Sequence, residues 1–443
     1  MPPTTPTISA ILPSGEIIEA VFNPATSTTD LVTGSGGVWT VAPHLDLPSG
    51  ERLVPYSATN NLLVHKVVLL PSEPEEYGTD AELLEEIRSF IHHHVALTPR
   101  FEAISAYYVL FSWLYDRFNE LPYLRVRGDY GSGKSRFLLT VGSLCYKPMF
   151  VSGASTVSPI FRTIDAFRGT LVIDESDFKE SDERNEIVKI FNQGNARGFP
   201  VLRSEQVGNR KEFDVRAYTV FGPKLIATRR DFKDRALESR CLTEEMGQVE
   251  LRKDIPINLP AGFEGEALGI RNKLLAFRLR AFGRERRSDS FTDQSIEPRL
   301  RQVFSPLLAV IDDPAVREEV VDLARHYQKE IVADRGLDVE AAVLEAVYGL
   351  QKAGKPLAVK EITALFLDEY GEEFGGKATP RWVGSILRRR LGLRPVKSNG
   401  VYVIPPGEGP KLARLFGRYG LEEGSGRGDV GDVEAVPVTG GLF

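Results

Sequence analysis

The spacing of apolar residues changes character several times along the chain. Residues 1–75 carry short β-prone runs at 8–12, 37–41 and 62–70, broken by Gly, Pro, Ser and Thr, and predict a small strand-rich domain. Over 76–120 the period lengthens to three and four residues. One helix is predicted after Thr79, which with Glu82 has the spacing of a capping box, and a second at Thr98-Pro99, an N-cap followed by proline at the first helical position. The second lines up Ile104, Tyr107, Tyr108, Phe111, Leu114, Tyr115 and Phe118. Between 121 and 246, apolar runs alternate with helical stretches as in a doubly wound α/β unit, with strands predicted at 124–126, 149–151, 171–173, 224–227 and 240–243. The segment 247–335 turns charged and helical, which suits a helical lid. Over 336–410 the pattern reads helix, helix, helix, hairpin. The third helix starts at Thr379-Pro380, and a turn at Ser398-Asn399-Gly400 closes the hairpin. Residues 411–443 are expected to form a disordered tail, since from Glu422 onward Gly, Asp and Val recur without period.

The 443 residues exceed what one hydrophobic core usually organises, and 42% hydrophobic with 26% charged residues are ordinary globular values. A net charge of -6 gives no overall attraction to nucleic acid, so any such binding must come from local basic patches. Cys145 and Cys241 are far apart and lack metal-ligand spacing, which excludes a disulfide framework and points to a reducing, cytoplasmic setting. No basic-then-apolar leader opens the sequence, and the most apolar stretch, 104–115, is too short to span a bilayer, so no membrane association is expected.

Gly128-Asp129-Tyr130-Gly131-Ser132-Gly133-Lys134-Ser135 matches the phosphate-loop pattern, in which backbone N–H groups wrap phosphates, the lysine reaches the β- and γ-phosphates and the serine holds Mg²⁺. The pattern should arise by chance about 0.02 times in such a chain. A strand precedes it and a helix follows. About 40 residues later, Thr170 to Glu175 form an apolar run ending in two acids, as expected of a buried parallel strand. Asp174 is the candidate Mg²⁺ ligand and Glu175 the candidate base. One strand and one helix fit between the two motifs, which predicts an additional strand between the loop strand and the acid strand. The expected nucleotide site comprises Gly128 to Ser135 with Arg136 and Thr228, and the expected cofactors are ATP and Mg²⁺.

The segment Gly222-Pro223-Lys224-Leu225-Ile226-Ala227-Thr228-Arg229-Arg230, continuing through Cys241, resembles the second half of an AAA+ module, most closely those of phage- and plasmid-encoded primase-helicases. Ser239-Arg240-Cys241 is similar to the Ser-Arg-Cys motif of clamp loaders. The resemblance implies an additional-strand, catalytic-glutamate ATPase acting as a homo-oligomer, expected as a hexameric ring. It implies Arg240, or next Arg235, as the finger entering a neighbour's site, and a second sensor arginine within Glu297-Pro298-Arg299-Leu300-Arg301. At the first sensor position, where AAA+ proteins usually carry asparagine, Thr228 or Arg229 stands. The implied activity is helicase or translocase of a mobile or viral replication system. An ATP-dependent DNA-binding initiator or loader, and a signalling or defence ATPase without DNA binding, are the alternatives.

Two regions are candidates for DNA. The hairpin expected within 195–218 carries Arg197, Arg203, Arg210, Lys211 and Arg216, where ring helicases place a pore hairpin. The C-terminal helices and hairpin resemble a winged helix. Between Gly376 and Ile404 this segment holds Lys377, Arg381, Arg388, Arg389, Arg390, Arg394 and Lys397 and no acid. His92-His93-His94 cannot converge on one metal, because successive helical residues point about 100° apart.

Overall fold

The computed structural model describes residues 3–174, 182–206, 213–232, 234–247, 251–284, 291, 293–336, 339–374, 378–398 and 400–421. The chain divides into two compact units, Met1–Ala324 and Arg325–Phe443.

The first unit opens with seven strands, β1 (Thr4–Thr7), β2 (Ser9–Ile11), β3 (Ile17–Asn23), β4 (Thr28–Ser35), β5 (Val38–Ala42), β6 (Leu45–Asp46) and β7 (Arg52–Pro55), and a short helix α1 (Asn61–Val64). They form a four-stranded sheet β2-β3-β4-β5 and a three-stranded sheet β1-β7-β6. Ile8, Ile18 and Leu31 share one hydrophobic cluster with Phe161, Ile164 and Phe167, so these strands pack on the α/β part. Helix α2 (Asp80–His94) starts with the expected capping box of Thr79 and Glu82, and α3 (Pro99–Ser112) with the Thr98 cap. Every residue of α3 from Phe101 on is buried, so it is a central helix and not one with a single apolar stripe.

The α/β core follows as β8 (Tyr123–Arg127), α4 (Lys134–Gly142), β9 (Met149–Ser152), α5 (Val157–Phe167), β10 (Leu171–Asp174), α6 (Asp182–Gly194), the hairpin β11 (Val201–Gln206) and β12 (Phe213–Tyr218), β13 (Lys224–Thr228), α7 (Arg235–Glu238) and β14 (Cys241–Glu245). Five strands make a parallel sheet in the order β14-β8-β13-β10-β9. The strand standing between the loop strand β8 and the acid strand β10 is therefore β13. The strand that falls between them in sequence, β9, goes to the edge. Parallel strands need crossovers, and the order of crossovers is not carried by local pattern.

Helices α8 (Phe263–Ala281), α9 (Pro298–Leu308) and α10 (Pro314–Gly336) occupy the segment expected as a lid. Helix α8 is fixed in the body of the unit by Arg278, whose side chain is 0% exposed and bridges Glu19 of β3 and Asp116. Lys147 Nζ lies 2.7 Å from the same Glu19, and Tyr146 donates to it. Burial alone would raise the Glu19 pKa, but the Lys147 and Arg278 charges outweigh it and hold the carboxyl below its usual range.

The second unit contains α11 (Val339–Lys352), α12 (Val359–Phe374), α13 (Pro380–Arg389), the antiparallel pair β15 (Val396–Ser398) and β16 (Val401–Val403), and α14 (Gly409–Tyr419). The first hairpin strand begins at Val396, and Leu393 just before it is buried in the helical core. Helix α14 also corrects the expected tail from 411. Leu412, Leu415 and Phe416 recur on one face and join the same core as Val347 and Leu350.

Candidate functional site

The loop between β8 and α4 needs glycine at Gly131 and Gly133, whose φ values of 75° and 93° lie in the left-handed region. A Cβ on Gly128 would lie 2.8 Å from Ser132 Oγ and 2.9 Å from the Met246 carbonyl, so only glycine lets the loop pass the end of β14. Lys134 Nζ folds back to donate to the Gly128 and Asp129 carbonyls at 2.7 and 2.6 Å. Burial lowers its pKa; the Arg229 charge adds to this and Asp174 and Asp129 oppose it. Ser135 Oγ donates to Asp174 Oδ2 at 2.9 Å, joining the first turn of α4 to the end of β10. Thr228, at the end of β13, has a buried hydroxyl without a hydrogen-bond partner among the described residues. Gly128, Asp129, Tyr130, Gly131, Ser132, Gly133, Lys134, Ser135, Asp174 and Thr228 thus gather at the C-terminal edge of the parallel sheet. Glu175 lies outside the described residues. Arg136 does not join the site: its guanidinium donates to the Pro256 and Ile257 carbonyls.

The donor set suits a polyphosphate with a divalent cation. A helix N-terminus, a lysine held only by neutral oxygens in the bonds above, a hydroxyl beside a carboxylate and an unpartnered buried hydroxyl converge on one edge.

Arg240 lies at the opposite edge. Its carbonyl accepts from the Tyr123 amide at the start of β8, whereas the loop leaves the end of β8. Five residues at roughly 3.3 Å each separate them by about 17 Å. Arg240 donates to Asn192 Oδ1, and Asn192 in turn donates to Asp234 at 2.6 Å. Arg299 of α9 donates to Ser239 Oγ at 3.2 Å, so this candidate sensor stands beside Arg240 and away from its own chain's loop. Arg235 is the first residue of α7.

Sequence reading missed the ties around these elements. Arg125 is 1% exposed and forks onto Glu238 of α7, while Arg127 pairs with Asp231 and Glu245. Two arginines alternating in a buried strand were the available signal. A second missed feature is Arg229, whose guanidinium carbon lies 3.5 Å from the centroid of the Tyr130 ring.

Of the residues proposed for DNA, Arg203 turns inward, over Phe161 at 5.1 Å and onto Glu186 at 3.2 Å. Arg197 is tied to the Phe118 carbonyl at 2.9 Å and lies over Phe221. The outward face of this stem is apolar instead, with Leu202 and Val215 exposed. Arg210 and Lys211 lie outside the described residues. In the second unit Arg381, Arg388, Arg389 and Lys397 are all exposed, and Arg390 pairs with Glu340 at 3.1 Å. The His92 ring bonds Glu102 at 2.8 Å, the His93 and His94 rings bond backbone carbonyls, and no metal-holding cluster occurs among the described residues. No helix among them is long and apolar enough to cross a membrane.

No protein-family profile matches the sequence, and no curated protein matches it. Among solved structures the chain is similar to inhibitor-bound JCV helicase, at 13% identity over 58% of this chain and 64% of that one, TM-score 0.23. It is similar to the apo C-terminal region of NrS-1, at 12% identity over 87% and 96%, TM-score 0.35. It is also similar to the active helicase Cch of SCCmec type IV, at 11% identity over 92% and 80%, TM-score 0.38. The chain spans under two thirds of the JCV helicase chain it matches.

Proposed function

We propose that this chain is an AAA+-like, Mg²⁺-dependent ATP hydrolase that couples turnover to DNA translocation or unwinding as a homo-oligomeric ring, a hexamer by the family resemblance. The observation that carries the ATPase reading is the meeting of Lys134, the Ser135–Asp174 pair and the glycine loop at one sheet edge. Lys134 would exchange its two carbonyls for the β- and γ-phosphates, and Ser135 and Asp174 would hold Mg²⁺, which when bound neutralises charge on the phosphate oxygens. Glu175, following Asp174 directly, is the proposed base that polarises the attacking water.

A finger about 17 Å from its own loop serves catalysis only in a neighbouring copy. That supports assembly and the assignment of Arg240, with Arg235 second. The exposed Arg381, Arg388, Arg389 and Lys397 support DNA contact by the second unit, read as a winged helix. ATP hydrolysis measured with no DNA, with single-stranded DNA and with duplex tests this reading. Strong stimulation by single strands is expected of a motor. Turnover that ignores DNA identifies a switch or a protein-directed ATPase, and no turnover at all removes the proposal.

A further inference from the structure

The β15–β16 hairpin gives almost nothing to the core of the second unit. Leu393 before it and Ile404 after it are buried there, but Val396, Lys397, Ser398, Val401 and Tyr402 are all exposed. Its root is nevertheless fixed: Ala358 bridges Val403, and the Ile404 amide donates to the Leu357 carbonyl at 2.9 Å. The register pairs Lys397 with Tyr402, which is 51% exposed. The ammonium and the ring therefore stand side by side on one face, their Cβ atoms about 5 Å apart. The surroundings are cationic. From Ala378 to Ile404 the chain carries no acid. Arg381, Arg388, Arg389, Arg394 and Lys397 form no ion pair among the described residues, whereas Arg390 pairs with Glu340.

We infer that Tyr402 is a platform on which an unpaired DNA base stacks, with Lys397 beside it on the phosphate, so that the second unit prefers a junction of duplex and single strand to continuous duplex. The inference rests on the proposed DNA reading of this unit. Phosphates require only the cations, which carry no preference among DNA structures of equal charge. A ring on a projecting ribbon adds one. Every base has an aromatic face, but within a duplex both faces are covered by neighbouring base pairs, so the ring can meet only a base that has left the stack. Strand propensity alone is already met by Val396 and Val401. A tyrosine also loses little conformational freedom on contact, and the anchored root presents it from a fixed position. One cross-strand step between ring and ammonium suits a nucleotide, whose base and phosphate are joined through a single sugar. The arginines thus supply affinity and Tyr402 the choice of DNA.

The test is fluorescence anisotropy of the full chain on a duplex with a single-stranded tail, competed by relaxed closed-circular duplex, which has no unpaired base. Tyr402→Thr, which keeps a strand-forming residue, should lower affinity for the tailed DNA about five- to hundredfold and leave competition by the circle within about twofold. Tyr402→Phe should behave as the parent. Lys397→Met should instead weaken both DNAs and flatten the salt dependence by about 0.7 to 0.9 units. An adenine analogue whose emission is quenched by stacking, placed in the tail next to the junction, should be quenched by the parent and by Tyr402→Phe more than by Tyr402→Thr. Equal losses on both DNAs in Tyr402→Thr, or none, would overturn the platform. If Tyr402→Thr melts early, Tyr402→Val must reproduce the selective loss. The variant lacking Arg388 and Arg389 separates the two levels of the argument. If it and Tyr402→Thr both bind every DNA like the parent, the second unit is not a DNA-binding unit at all; if it weakens both DNAs while Tyr402→Thr changes nothing, only the platform falls.

Discussion

Two charged regions of the first unit are built on opposite rules. In the cluster beneath the N-terminal strands, Lys147 and Arg278 face Glu19 and Asp116, two cations against two carboxylates, almost wholly buried. At the edges of the parallel sheet, Lys134 bonds backbone carbonyls, Arg240 an amide oxygen and Arg299 a hydroxyl. Neutral oxygens orient a cation without cancelling its charge. The first arrangement holds a fold together, and the second keeps positive potential ready for an anion.

The sharpest break of this comparison is Lys134→Ala, which should reduce ATP turnover by about a thousandfold or more while the melting temperature stays near the parent's. Glu175→Gln should bind ATP and hydrolyse it very slowly. Next comes Arg240→Ala, expected to spare ATP binding and cut hydrolysis by roughly 10³ to 10⁵. Mixing it with Lys134→Ala protein should restore activity at mixed interfaces; co-assembled mixtures without recovery would argue against action across subunits.

On the other side of the comparison, Glu19→Gln should cost about 3–5 kcal/mol in denaturant unfolding, because it leaves Lys147 in a buried site without its carboxylate and Arg278 with Asp116 alone. ATP turnover per folded molecule should be retained. The intermediate case is Lys224, fully buried on the Gly194, Val220 and Gly222 carbonyls. Burial, reinforced by the Arg240 charge, lowers its pKa from 10.5 to about 7. Between those values the unfolded chain binds the extra proton, so stability should rise with pH by up to about 1.4 kcal/mol per unit, and Lys224→Met should lack that slope. The smallest effect lies in the second unit. Removing Arg388 and Arg389 in the full chain should flatten the slope of log DNA affinity against log salt by about 1.8 units, whereas Arg203→Ala should leave it nearly unchanged.

Reading the sequence located the loop, the acid strand and the helix starts, because each is specified within a few neighbouring residues: the capping box at Thr79, the Pro99 and Pro380 starts, and the glycines of the loop. It misjudged what depends on distant partners. Arg203 and Arg197 count as basic in sequence, yet Glu186, Phe161 and the Phe118 carbonyl engage them. Arg136 follows the loop directly, but the turn of α4 directs it to Pro256. The place of β13 at the centre of the sheet depends on crossovers that no local window encodes.

That central strand has a mechanical consequence. It is five residues long, with Thr228 at the phosphate end and Lys224 at the other, pinned to the carbonyls where α6 ends and the β11–β12 hairpin returns. A strand clamped on both sides by β8 and β10 is stiff along its axis, like a push rod in a sleeve. A push at Thr228 would therefore reach the Gly194 and Val220 carbonyls at the root of the hairpin.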